Sequence, residues 1–74
     1  MSLRNHNSLE VVKVLTQYYG FSVERQSGSH IQLKHSDGRR LTVPRTTERR
    51  IKQGVMKSII SQTHTTQEEF LTHF

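Results

Sequence analysis

Residues 21–44 read FSVERQSGSHIQLKHSDGRRLTVP, and the fold class follows from this segment. Apolar and polar residues alternate through three runs of it, as in strands that bury one face only. The dipeptides Ser27-Gly28 and Asp37-Gly38 separate the runs and suit tight hairpin turns, and Pro44 ends the third run. We therefore expect a three-stranded antiparallel meander whose inward side chains are Phe21, Val23, Ile31, Leu33, Leu41 and Val43.

The other face of this sheet is predicted to be polar throughout. It would carry Ser22, Glu24, Gln26, His30, Gln32, Lys34, Arg40 and Thr42. Such a hydrophilic face is unsuited to burial beneath a helix, because its polar groups would lose their water. The sheet is therefore expected to stay open on one side and to be available to a ligand there.

A helical pattern precedes the sheet. Asn7 and Glu10 have the spacing of a capping box, which predicts a helix over residues 8–19 that ends at Gly20. Its expected apolar stripe consists of Leu9, Val12, Leu15 and Tyr19, broadened by Val11 and Tyr18.

Two shorter helical patterns follow the sheet. After a turn or loop at Thr46-Thr47-Glu48, a helix is expected from about residue 54 to 62, and the Thr66 and Glu69 spacing predicts a last short helix. The apolar residues of these two helices are Val55, Met56, Ile59, Ile60, Phe70 and Leu71, with Phe74 beyond them. Helices on the one apolar sheet face give an α+β fold, a two-layer α-β-β-β-α sandwich.

The whole chain has room for one small domain. Its 74 residues, 31% of them apolar, allow only a thin core and exclude a two-domain enzyme. We assign the domain to residues 7–74 and treat residues 1–6, which lack periodicity, as a disordered or artificially added N-terminus. The absence of cysteine excludes disulfides and thiolate chemistry. No apolar run approaches a membrane span and no signal peptide is visible, so a cytoplasmic location is expected.

The chain is strongly basic. Its formal net charge of +5 and sequence pI near 10.3 favour an anionic partner. Seven of the eleven cations fall between residues 39 and 57, opposed there by Glu48: Arg39, Arg40, Arg45, Arg49, Arg50, Lys52 and Lys57. This density suits a phosphate backbone, although an acidic protein or plain solvation would also account for it. The phenylalanines match core positions, so no aromatic platform for stacking bases is expected.

The segment Gly28-Ser29-His30 offers catalytic chemistry. Glycine allows a ligand to approach the backbone, Ser29 can donate to phosphate oxygens, and imidazole titrates near neutrality. The residues around it are Arg25, Gln26, Lys34, Arg39 and Arg40. This set fits metal-free RNA cleavage, in which a base takes the proton of the 2′-hydroxyl and that oxygen attacks phosphorus. The alternative interpretation is that His30 is only a polar residue at a strand start.

The remaining histidines have simpler interpretations. His35 is expected to be solvated at the hairpin end, with a phosphate contact as the alternative. His6, His64 and His73 share no ligand spacing, so neither a metal nor a cofactor is expected. No pair of carboxylates is expected near His30, which argues against carboxylate-based acid and base chemistry.

Several blocks of the chain resemble the HicA family of mRNA interferase toxins. In order, they are Gly20-Phe21, RQSGSH at 25–30, HSDGRR at 35–40, Val43-Pro44, GVMKSII at 54–60 and EEF at 68–70. The resemblance covers the chain from about residue 8 to 71. It implies a fold similar to a double-stranded RNA-binding domain, metal-independent mRNA cleavage, a catalytic histidine at His30 and a HicB-type antitoxin as partner.

We therefore expect His30 to act as general acid or base. The expected RNA contacts are Arg25, Gln26, Gly28, Ser29, Lys34, Arg39, Arg40 and Arg45. Two positions depart from the family pattern: Thr46 stands where many relatives carry a histidine, and Val55 stands where they carry the threonine of a Gly-Thr pair. The first change removes a polar contact and the second a helix cap. A non-catalytic RNA-binding module of the same fold, or a protein that binds an acidic polypeptide, are the alternative functions.

Overall fold

The structure, a computed structural model, describes residues 6–45 and 51–74. Their elements are α1 (Ser8–Tyr18), β1 (Phe21–Ser27), β2 (His30–His35), β3 (Arg40–Pro44), α2 (Gln53–Ser61) and α3 (Gln67–Leu71). The strands form one antiparallel sheet in the order β1, β2, β3. Helix α1 packs against β1 and β3, and α2 packs against β3 and α3. The expected α+β fold is confirmed, while the turn expected at residues 46–48 lies outside the described residues.

One hydrophobic core lies between the sheet and the helices. Its members are Val11, Val14, Leu15, Phe21, Ile31, Leu33, Leu41, Val43, Ile51, Met56, Ile59, Ile60, Phe70 and Leu71. Burying one large apolar side chain contributes roughly 1.5–3 kcal/mol, so this single layer supplies the main favourable term in folding. Apart from Val23, every strand residue predicted to point inward belongs to this core.

Helix α1 begins as predicted but buries a different face. Asn7 caps it, because the Asn7 Oδ1 atom accepts a hydrogen bond from the Leu9 N–H at 2.8 Å. The prediction that Leu9 is buried was wrong, since 51% of its surface is exposed. The buried positions are Ser8, Val11, Val14 and Leu15. Ser8 tolerates burial because its hydroxyl donates to the Pro44 carbonyl oxygen at 2.9 Å.

The helices after the sheet lie close to their expected positions. Helix α2 begins at Gln53 with Lys52 as N-cap and without a side-chain capping bond. The expectation that Val55 removes a cap was wrong, because Val55 is the third residue of the helix and not its N-cap. Helix α3 is capped as predicted, because the Thr66 hydroxyl oxygen accepts from the Glu69 N–H at 3.1 Å. Before α2, the Ile51 N–H donates to the His6 carbonyl oxygen at 3.0 Å in an isolated antiparallel bridge. The chain is thus already paired at His6.

A β-bulge interrupts the pairing of β1 with β2. Val23 lies opposite Leu33 and Arg25 lies opposite Gln32, so Glu24 is an extra residue without a partner. An extra residue shifts the alternation of every position that follows it and bends the strand. The sequence pattern alone does not reveal such an insertion.

Two predictions for β1 were wrong. Val23 lies opposite the buried Leu33 as expected, but it is 50% exposed, because β1 is an edge strand and bends at this point. Gln26 was predicted to share the outward face with His30, but it lies opposite Ile31, whose side chain is in the core. Directly paired residues share a face, so Gln26 lies on the helix side of the sheet.

Gly20→Ala should lower the free energy of unfolding more than Gly28→Ala. Both glycines have positive φ angles, 75° and 58°, so a Cβ at either one costs about 1–2 kcal/mol of backbone strain. At Gly20 that Cβ would also lie 2.9 Å from the His35 Nε2 atom, whereas at Gly28 it would meet no atom within 4 Å. Urea denaturation should show about 1 kcal/mol more loss at Gly20. Equal losses would show that the His35 ring moves aside freely.

Candidate functional site

The in-register pairing arranges the outward side chains of the sheet in three rows across the strands. The rows are Ser27, His30 and Pro44; Arg25, Gln32 and Thr42; and Ser22, Lys34 and Arg40. Paired residues share a face, and Ile31 and Leu33 of the same central strand point into the core. These three rows therefore lie opposite the helices, and we call this surface the open face.

His30 lies at one end of the open face and is exposed to solvent. It is the first residue of β2 and follows the two-residue loop Gly28-Ser29. The Arg45 backbone N–H donates a hydrogen bond to the Ser29 carbonyl oxygen, and this bond holds the backbone of Arg45 beside the loop. The structure thus brings Gly28, Ser29, His30 and Arg45 together. The exposed imidazole of His30 therefore lies next to the Gly28-Ser29 backbone, which a phosphate can approach.

Arg25 is the nearest strand cation to His30 on the open face. It is a diagonal neighbour across the β1–β2 pair, which corresponds to about 7–8 Å between the two backbones, within reach of a long side chain. Its Nε atom donates a hydrogen bond to the Gln32 Oε1 atom at 3.3 Å. Sequence reasoning did not assign Gln32 to the site, because the contact exists only as a result of the bulge.

Lys34 and Arg40 occupy the opposite end of the open face. Lys34 lies four positions after His30 in β2, which corresponds to about 13 Å along the strand. The Arg40 Nη2 atom lies 3.4 Å from the Glu24 Oε2 atom, and its side chain is 68% exposed. Glu24 thus partly neutralises this end. The open face is a strip with imidazole at one end, two cations at the other, and Arg25 between them.

Arg39 was predicted to contact RNA beside Arg40 but is held away from the open face. Its Nε atom donates to the Asp37 Oδ2 atom at 2.7 Å, and its Nη1 atom donates to the Gln62 carbonyl oxygen. Its guanidinium carbon lies 5.4 Å from the centre of the Phe21 ring, in a cation–π contact. These contacts fasten the β2–β3 hairpin to the residue after α2. Arg39 and Gln26 are therefore the two predicted contacts that do not lie on the open face, and Lys34 and Arg40 lie on it at the end away from His30.

His35 takes part in the same contacts between the β2–β3 hairpin and the rest of the fold, and it does not belong to the open face. Its ring packs edge-on against Phe21, with 5.2 Å between ring centres. Its Nδ1 atom accepts a hydrogen bond from the Asp37 N–H at 3.1 Å. The Arg39 N–H bonded to Asp37, together with the hydrogen bond and charge of the Arg39 side chain, lowers the pKa of that carboxyl group. The block at residues 35–39 therefore has a structural role.

The basic segment between residues 39 and 57 does not form one surface. Arg45 is exposed near His30, but Lys52 and Lys57 belong to the exposed side of α2, in the helix layer. Three positions of interest, Thr46, Arg49 and Arg50, lie outside the described residues, as does Glu48. The charge density seen along the sequence is thus divided between two sides of the domain.

A groove lies on the helix side, with a volume of about 420 Å³. It is lined by Glu10, Lys13, Val14, Gln17, Tyr18, His73 and Phe74. The Tyr18 and His73 rings stack at 4.0 Å between centres along it. None of its lining residues belongs to the open face, so the groove is separate from the candidate site.

Comparison with known proteins gives one family. A family model described as the HicA toxin of bacterial toxin–antitoxin systems matches residues 9–64, from α1 to just beyond α2. No curated protein matches the chain. Across residues 6–45 and 51–74, no group of three metal-ligating side chains is found, and none of the helices is long and apolar enough to cross a membrane.

Arg39→Ala should destabilise the fold, and Arg40→Ala should not. The Arg39 side chain is only 20% exposed, and its removal deletes two hydrogen bonds and a ring contact, at a cost of about 1–3 kcal/mol. Arg40 has one exposed ion pair, which contributes less than about 0.5 kcal/mol. Urea denaturation of both variants measures the difference. Equal stability of the two variants would contradict the fastening role of Arg39.

Asp37→Asn should make the free energy of unfolding depend less on pH in acid than it does in the wild type. A carboxyl group with a lowered folded-state pKa stabilises the fold above its unfolded pKa of about 3.9, and this contribution is lost as pH falls through the folded value. The difference between wild type and variant should therefore begin to shrink near about pH 4 and disappear only below the lowered folded-state pKa of Asp37. Glu24→Gln, which affects only the exposed pair with Arg40, is the matched control. Denaturation curves measured between neutral and acid pH test this prediction. If Asp37→Asn lost as much stability in acid as the wild type, the prediction would be contradicted.

Proposed function

The chain belongs to the HicA family of toxins from bacterial toxin–antitoxin systems, and from this premise we propose that it is a metal-independent endoribonuclease that cleaves mRNA at His30. The observation that carries the proposal is the exposure of His30 at the end of a polar, cationic open face. A buried imidazole beneath the helices would have excluded this chemistry. The mRNA substrate places the activity in the cytoplasm.

The proposed reaction is an internal transesterification. His30 takes the proton of the 2′-hydroxyl, or gives a proton to the leaving 5′-oxygen, while the 2′-oxygen bonds to phosphorus and the 5′-oxygen departs. The products carry a 2′,3′-cyclic phosphate and a 5′-hydroxyl. Because the nucleophile belongs to the RNA, the reaction needs no metal-bound water. Backbone amides of the Gly28-Ser29 loop and nearby cations stabilise the negative charge that develops on the phosphate oxygens.

Binding is proposed to depend on the ribose–phosphate backbone. The open face offers Arg25, Lys34 and Arg40 for phosphates, and the rows described above contain no phenylalanine, tyrosine or tryptophan for base stacking. We therefore expect weak sequence preference and strong salt dependence. A HicB-type antitoxin is the proposed protein partner, and an acidic surface would complement these same cations.

A non-catalytic RNA-binding module is the second candidate. One observation favours it: in the described parts of the chain, no carboxylate or second titratable side chain is hydrogen-bonded to His30. In addition, Thr46 stands two residues after Pro44, where many relatives carry a histidine. Titration of the protein with single-stranded and duplex RNA, followed by analysis of the product ends, separates the two functions. Binding without any cut would support the module and refute the ribonuclease.

His30→Ala should abolish cleavage and spare binding. Removal of a general acid or base lowers the rate by roughly 10²–10⁴-fold, whereas phosphate affinity is expected to come mainly from the arginine and lysine side chains of the open face. Cleavage of a fluorescently labelled RNA in buffer containing EDTA measures the rate, and anisotropy measures the affinity. His64→Asn is the control, because His64 is exposed away from the open face and asparagine tolerates its φ of 60°. Equal cleavage by wild type and His30→Ala would remove His30 from the mechanism.

A further inference from the structure

The bulge in β1 determines which side chain stands beside His30. With simple alternation from Phe21, Gln26 would lie on the open face and Arg25 would point toward the helices. The extra residue at Glu24 reverses this arrangement. Bulges next to functional sites commonly redirect a side chain, and here the redirected group is a guanidinium.

We propose that Arg25 contacts the scissile phosphate and that Gln32 is the residue that positions Arg25 for this contact. The proposal rests on the ribonuclease function argued above. Its direct support is the hydrogen bond from Arg25 Nε to Gln32 Oε1 at 3.3 Å, in the row adjacent to His30. It assigns a catalytic contact to one residue and a positioning role to a residue that the sequence did not single out.

The geometry of the guanidinium supports this assignment. Gln32 occupies Nε, which leaves the two terminal nitrogens as a pair of parallel donors at the outer edge of the group. Such a pair matches two oxygens of one phosphate. A free arginine side chain on a surface samples many rotamers, so a fixed Nε reduces the ordering that RNA binding would otherwise require.

Distance separates Arg25 from the other cations of the open face. Arg25 reaches the neighbourhood of His30 diagonally, whereas Lys34 and Arg40 lie about 13 Å along the strands from it. A phosphate at His30 therefore lies nearer to Arg25 than to these far cations, and Arg45, beside the Gly28-Ser29 loop, is also close to it. When the 2′-oxygen bonds to phosphorus, Arg25 stabilises the added negative charge, while Lys34 and Arg40 hold phosphates further along the RNA.

The test is a double-mutant cycle on the full chain, with a labelled single-stranded RNA of mixed sequence as probe in EDTA. Arg25→Ala should lower the cleavage rate at saturating RNA by about 10²-fold. Gln32→Ala should lower it by about threefold to tenfold. In the Arg25→Ala background, Gln32→Ala should have no further effect, because Gln32 acts through Arg25. Gln17→Ala, which changes an exposed glutamine on α1 away from the open face, is the control and should cleave like wild type.

The possible outcomes separate a failure of this inference from a failure of the proposed ribonuclease function. An inactive wild type, or equal cleavage by wild type and His30→Ala, would overturn both. Cleavage that depends on His30 but not on Arg25, or multiplicative losses in the double variant, would overturn the inference alone.

Unfolding curves of the same samples detect a variant that fails to fold. Arg25→Lys then replaces Arg25→Ala: it keeps the charge but lacks the paired donors, so it should cleave at least about tenfold more slowly, and a wild-type rate would refute the contact.

Discussion

A single apolar layer between the sheet and the helices is the constraint on which this molecule depends. The chain contains 31% apolar residues, and the strand positions that enter the core do so from one face of the sheet. The alternation that directs Ile31 and Leu33 inward also directs His30, Gln32 and Lys34 outward. A shift of the register by one residue would bury the imidazole and expose the core, so stability itself fixes the proposed site in water.

The blocks that the chain shares with the HicA family divide into two physical roles. At one end of the sheet, Gly20, His35, Asp37 and Arg39 fasten the hairpin to Phe21 and to the backbone after α2. At the other end, the Gly28-Ser29 loop presents His30. A basic residue within a shared block is therefore not by itself evidence of an RNA contact. Arg39 shows this most clearly, because its guanidinium is engaged within the fold while the adjacent Arg40 is exposed.

The sequence predicted the elements, their order and the exposure of His30, because these depend on local periodicity and on turn dipeptides. It failed where one residue changes the phase of everything after it, because the bulge at Glu24 exchanged Arg25 with Gln26 on the open face. It also overestimated the burial of Val23, which lies on an edge strand beside the bulge. It also failed for Arg39, whose partner Gln62 is distant in sequence. On α1, Val14 replaced Leu9 in the core, since two overlapping stripes are available and only the tertiary contact from Ser8 to Pro44 selects between them.

The separation of charges along the open face bears on how such an enzyme would work. One histidine supplies roughly 10²–10⁴ in rate, and no second titratable side chain in residues 6–45 and 51–74 is bonded to His30. Further acceleration must come from electrostatic stabilisation close to the reacting phosphate, where Arg25 is placed. The cations at the far end, one of them shared with Glu24, lie too far away for this and add only affinity. Binding and catalysis are thus assigned to different ends of the strip, so a partner that covered the far end would weaken RNA capture, whereas one that covered His30 and Arg25 would stop the reaction itself.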